Sequence, residues 1–163
     1  MPHSWTRGES RRQYEVGASG LLVYSDDMNR ADFKELALTR LDDAKILINK
    51  KRYSAAYYVA GYVIECALKA CLAKKARRHE FPPKPEEVRK SYYTHDLQDL
   101  AKASGLLVEL EKGRPSLATY WTTVKDWTGA SRYDPRAGKR AKDILRAIED
   151  PTDGVLQCIK RYW

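Results

Sequence analysis

Cysteine and histidine are scarce in this chain, three of each in 163 residues. No CxxC occurs and no Cys and His stand at zinc-ligand spacing, which excludes a structural zinc site of the usual kinds. Cys66, Cys71 and Cys158 each fall within an apolar helical pattern, where a thiol behaves as a small hydrophobe. A Walker-type glycine loop, a paired-carboxylate metal motif and a nucleophile elbow are all missing. The adjacent pairs Asp26-Asp27 and Asp42-Asp43 direct their side chains apart on a turn or helix and read as solvated charges. No apolar stretch is long and uninterrupted enough to span a bilayer, because the longest carries Glu65 and Lys69 in its middle. Behind the N-terminal arginines the run from Leu21 to Tyr24 is too short for a signal peptide. The expectation is a cytoplasmic chain with no cofactor, no metal and no membrane partner, of a size that buries a full core in one domain.

What dominates instead is an almost wholly apolar helix from Tyr53 to Lys74, interrupted by those two opposite charges. A helix that is hydrophobic nearly all round belongs inside a bundle, and charges within it are rarely buried unless paired. Glu65 and Lys69 are four apart with the acid first, the favourable order for an intrahelical pair. Two readings stand: a salt bridge filling a seam between helices or protomers, or a Lys69 that holds a phosphate while Glu65 orients it. Small residues (Ala55, Ala56, Ala60, Gly61, Ala67, Ala70) let neighbouring helices approach closely, a copy of the same helix included.

Residues 1–28 are polar and aperiodic and read as an N-terminal arm; 29–163 form the helical domain. Asn29 caps a helix from Arg30 to about Lys50 whose stripe is Phe33, Ala37, Leu41, Ala44 and Ile48. Ser54 is expected to cap the central helix. The Phe81-Pro82-Pro83-Lys84-Pro85 run stops it, and 86–91 is expected to make a helical turn. Thr94 then caps a short helix to Ala103, with Asp96 in its first turn and Gly105 at its end. Further helical pieces cover Leu106–Glu111, a segment opened by Pro115 and bearing Trp121 and Trp127, and Gly138–Ile148. Asp150-Pro151 reads as cap and first position of a last helix. No strand alternation appears, so the fold class is all-α.

The formal net charge is +8, and it is concentrated. Lys69 to Lys90 holds eight Lys/Arg against three Asp/Glu, and Lys125 to Arg146 seven against three. Basic surface gathered in this way fits a polyanion such as RNA, DNA or a nucleotide; the bland alternative is a solvated helix face. Tyr92, Tyr93, Trp127 and Tyr133 lie near those stretches, where they can stack bases. His95 is either a capping or core-edge imidazole or a base or ligand contact that titrates near neutral pH. Asp96 reads first as an acceptor for free N–H groups at a helix start and second as a ligand contact. Arg132, in a loop bounded by Gly129 and Pro135, either grips phosphate in a fork or stacks on Trp127 or Tyr133 and pairs with Asp126 or Asp134.

The segment Arg52-Tyr53-Ser54-Ala55-Ala56, followed by Ala60-Gly61-Tyr62-Val63-Ile64-Glu65-Cys66-Ala67-Leu68-Lys69-Ala70 and later by Thr94-His95-Asp96-Leu97 and Arg132-Tyr133, resembles the HEPN domain (higher eukaryotes and prokaryotes nucleotide-binding), in particular its nucleotidyltransferase-associated type. The resemblance runs from about Asp32 to the C-terminus. It implies an up-and-down antiparallel bundle of four to five helices with short extra helices, commonly a homodimer. It also implies an RNA or nucleotide ligand and, in many members, a nucleotidyltransferase partner in a toxin–antitoxin or defence pair. The residues' own chemistry makes Arg132, Tyr133, Lys69, Glu65 and Asp96 the candidate ligand-binding residues. The family's ribonucleases use an Arg, four to six residues, then a His, without metal. No histidine follows Arg132 here; the literal match is Arg89 with His95. A metal-independent endoribonuclease with those two as catalytic residues is one alternative, and a pure protein-interaction module is another.

Overall fold

Asn29 opens the first helix by accepting the amide protons of Ala31 and Asp32, while Asp32 accepts the Asn29 amide in return. In the computed structural model, which describes residues 28–78, 94–133 and 138–163, that helix is α1, Arg30–Asn49. It is followed by α2 (Tyr53–Arg78), α3 (Leu97–Ser104), α4 (Leu107–Lys112), α5 (Pro115–Val124), a 3-10 turn (Gly129–Tyr133), α6 (Gly138–Glu149) and α7 (Val155–Lys160). No strand occurs among the described residues, and the all-α bundle is the architecture. The proposed arm, apart from Met28, and the turn expected over 86–91 lie outside the described residues.

The apolar helix is the pillar. α2 packs most extensively along α1, its hairpin neighbour, and also meets α6, α3, the 3-10 turn and α7. Ala56, Ala60, Val63, Ile64, Ala67, Leu68 and Ala70 are all within 1% of complete burial. By length and composition alone, Tyr53–Lys75 is apolar enough to cross a membrane, which corrects the reading that its two charges disqualify it. Within the fold most of that stretch is covered by neighbouring helices. Three helices besides α1 turn a face to it: Leu97, Leu100 and Ala101 do so from α3, Ile144 and Ile148 from α6, and Leu156 and Ile159 from α7. α5 adds Trp121 and Val124 to the same core and packs chiefly on α6 and α4.

Several boundaries differ from expectation, each because a better acceptor lay nearby. α2 begins at Tyr53, with the Arg52 carbonyl taking the first helical bond from Ala56, so Ser54 is inside the helix. Asp96, not Thr94, is the N-cap of α3: its Oδ1 accepts from the amides of Gln98 and Asp99, both at 2.9 Å, and Thr94 Oγ1 supports it by accepting the Asp96 amide. Asp150 caps a turn over 151–153, accepting from Thr152 and Asp153, and the last helix starts only after Gly154. Those two amide bonds hold the Asp150 carboxyl below its ordinary range. Gly105 ends α3 as expected, with φ +81 in the left-handed region.

Two contacts tie distant parts together. Arg30 donates to the carbonyl of Trp163, whose ring also lies under the ammonium groups of Lys34 and Lys160 at 5.3 and 5.9 Å. Trp127, buried just beyond α5, lies flat on α2 at Gly61: a Cβ there would come within 2.2 Å of the indole ring. The Tyr58 ring flanks it, with centroids 5.8 Å apart. Alanine at position 61 gains roughly 1 kcal/mol of helix propensity, but the displaced indole costs about 1–3 kcal/mol or more by overpacking. At 2.2 Å the clash wins. Gly61→Ala is therefore expected to lower the urea midpoint, and to lower it less in a Trp127→Leu background. An equal loss in both backgrounds would show that the ring is not what demands glycine.

Candidate functional site

Glu65 is buried to 1% exposure among apolar neighbours on the pillar. Its Oε1 accepts from Lys69 Nζ at 2.8 Å and lies 2.9 Å from His95 Nδ1. An isolated carboxylate in such surroundings is costly, and these two donors relieve that cost. Both readings of the Glu65–Lys69 pair meet here, since the salt bridge forms and its ends point towards an exposed histidine. Oε2 is buried with no partner among the described residues.

His95 reaches Glu65 because Asp96 ends the extended approach to α3. With residue 96 at the cap, residue 95 stands just outside the helix and turns its ring towards α2. Nδ1 faces the carboxylate while the side chain is 70% exposed. When neutral, an imidazole that donates through Nδ1 carries its lone pair on Nε2, so the contact selects an outward base or acceptor. Asp96 is spent on α3's own amides, which makes it a positioning residue for His95.

Burial and the neighbouring Glu65 charge act on two more groups. The Tyr62 hydroxyl and the Cys66 thiol hydrogen-bond to each other. Burial first, and then the charges nearby, push Tyr62 up to about 12 and Cys66 up to about 12. Burial likewise pushes Cys71 up to about 11. All three cysteines are free and buried, so they are packing groups and not nucleophiles.

The 3-10 turn bearing Arg132 and Tyr133 packs on α2. Its base is the Trp127 ring on Gly61, which lies one helical turn before Glu65 on the same face of α2. Tyr133 is 76% exposed. The backbone of Arg132 belongs to that turn; its side chain, and all of Arg89, lie outside the described residues. Four of the seven site residues anticipated from the sequence thus meet directly or one step removed (Glu65, Lys69, His95, Asp96), with Tyr133 on the adjoining turn. The sequence singled out Glu65 and His95 separately but did not join them. The available signal was that a carboxylate buried on an apolar helix needs more than one donor. A hollow of about 170 Å³ between Arg114 and Arg161 contains none of these residues; the site is an open face.

A helical bundle with a histidine held by a buried carboxylate on its central helix is the class that fold and site define. The HEPN domain model matches residues 31–161, and the chain belongs to that family. No curated protein and no solved structure matches the chain. Family membership gives it a nucleotide- or RNA-related function in general terms.

Two outcomes follow from this geometry. Lys69→Met leaves the buried carboxylate with the His95 contact alone and is expected to destabilise by about 3 kcal/mol, whereas His95→Ala, at an exposed imidazole, costs under about 1 kcal/mol. Equal losses in urea unfolding would contradict this division. Second, the unfolded chain releases its thiol protons near 9.0 and its phenol near 10.0, while the native chain keeps those of Cys66 and Tyr62 to about 12. Stability is therefore full below the unfolded thiol value and drains as pH rises towards the folded one. Urea midpoints compared at about pH 8 and about pH 11 read this directly, and Cys66→Ala should flatten the decline.

Proposed function

We propose that this HEPN chain is a cytoplasmic, homodimeric binding protein that engages RNA or a nucleotide on the α2 face formed by Glu65, Lys69 and His95. Arg132 and Tyr133 flank that face. The observation that carries the reading is the 2.9 Å contact between Glu65 and His95 Nδ1, which in a neutral ring donating through Nδ1 puts the lone pair on Nε2; Lys69 shares the same carboxylate, and the exposed Tyr133 lies on a turn that packs on α2. Lysine and arginine meet phosphate, imidazole meets a base edge or ribose hydroxyl, and Tyr133 offers a ring for a base to stack on. Most small residues of α2 are used inside the chain, so the strip left for a partner copy is Ala55, Tyr58, Val59 and Tyr62. A nucleotidyltransferase partner, as in toxin–antitoxin or defence pairs of the family, is part of the same proposal.

The Glu65–His95 contact also favours a second reading, metal-independent RNA cleavage. Nε2 would take the proton of a ribose 2′-hydroxyl, the 2′-oxygen would attack the adjacent phosphorus, and the 5′-oxygen would leave with a proton. Lys69 is the cation that the described residues offer to the phosphorane; Arg89, the other cation expected from the sequence, lies outside them.

The test is fluorescence anisotropy with short single-stranded RNA and with nucleotides across a salt series. Affinity is expected to fall steeply with salt, and Tyr133→Ala is expected to weaken it by about 1–3 kcal/mol. Absence of binding to either probe at low salt rejects the proposal. Cleavage that persists in EDTA and vanishes in His95→Ala establishes the second reading, and no cleavage across varied RNAs removes it.

A further inference from the structure

The turn between α1 and α2 carries three exposed cations in succession, Lys50, Lys51 and Arg52. Lys51 has φ +57, the one positive φ outside glycine among the described residues. Its amide donates to the Ile48 carbonyl at 2.9 Å, and the Arg52 amide donates to Leu47 at 2.8 Å. That bonding closes a helix on a left-handed residue, the position glycine occupies without penalty. A side chain there is strained, so the lysine in that place costs the turn some stability that a glycine would not.

The fold sets a second group of cations beside it. Lys139, Arg140 and Lys142, all exposed, open α6, and two tyrosines from the first turns of α2 hold them at the turn. A Cβ at Gly138 would lie 3.6 Å from the Tyr53 ring. The Lys142 ammonium sits 5.6 Å from that ring's centre. Arg140 lies over Tyr57 at 4.9 Å and donates to its hydroxyl at 3.2 Å. None of Lys50, Lys51, Arg52, Lys139 and Lys142 is paired with a carboxylate among the described residues. Asp143 is the one acid in the opening two turns of α6. The exposed large apolar side chain closest in sequence is Ile46, too little for the apolar centre that a protein interface is built around. Point charges without such a centre suit a phosphate backbone.

We propose that this end of the bundle, where the α1–α2 turn meets the start of α6, is a track for the sugar–phosphate backbone of RNA, separate from the Glu65–His95 face. It rests on the RNA-binding reading above and deepens it. The turn with Arg132 and Tyr133 precedes α6 by a few residues, so one strand can run from the track to the site.

The test uses the full chain and a short oligouridylate RNA. Lys51→Gly removes the strain and one cation together. It is expected to raise Tm by about 2–4 °C while weakening RNA binding by about threefold at low salt. Adding Lys139→Gln and Lys142→Gln is expected to weaken binding by more than about tenfold, with the log–log salt slope falling by about 0.7 for each cation removed. Tyr133→Ala is measured alongside as the reporter of the other face. If the folded triple variant binds like the wild type with an unchanged slope while Tyr133→Ala weakens binding, the track is overturned and the proposed function stands. If the wild type binds no RNA, both fall. Displacement of the RNA by polyglutamate at matched charge concentration overturns the assignment in favour of an acidic protein.

Discussion

A carboxylate buried at the middle of an apolar helix constrains everything packed around it. Glu65 needs donors that the pillar itself supplies only in part, through Lys69 one turn on. The second donor has to come from another element, and the short α3, by being capped at Asp96, delivers His95 at the required place. The site is thus a by-product of satisfying one buried charge. Its polarity is defined on the inner side by burial and on the outer side by an imidazole that remains 70% exposed.

The pillar was legible in the sequence because its pattern left no polar face to put in water, and burial of almost every residue from Ala56 to Leu72 agrees. Asn29 and Gly105 were legible as well, since capping chemistry is local: a side-chain acceptor at one end and a left-handed residue at the other. Misplaced starts came where two acceptors competed within three residues. Thr94 and Asp96 both fit a cap, and only the carboxylate reaches two amides at once. At Asp150 the same capacity was used up by a turn, which delayed the last helix to Val155.

The candidate site was half legible. Residue types announced Glu65, Lys69 and His95, but their convergence depends on which way α3 docks, and that is decided by Leu97, Leu100 and Ala101 burying against the pillar. The cations at the α1–α2 turn are not legible in the sequence for a related reason. Counting charge along the chain selects 69–90 and 125–146, whereas Lys50 to Arg52 become notable only once Tyr53 and Tyr57 bring α6 to them. Proximity in space, supplied by aromatic packing, was the missing information.

The fastening of Arg30 to the carbonyl of Trp163, with Lys34 and Lys160 over its indole, joins the first helix of the domain to its last. During synthesis the α1–α2 hairpin can assemble early, since its contacts are local. The Arg30–Trp163 bond joins residues 133 apart in the chain, so this fastening can form only after nearly the whole domain has been synthesised, later than the local hairpin contacts.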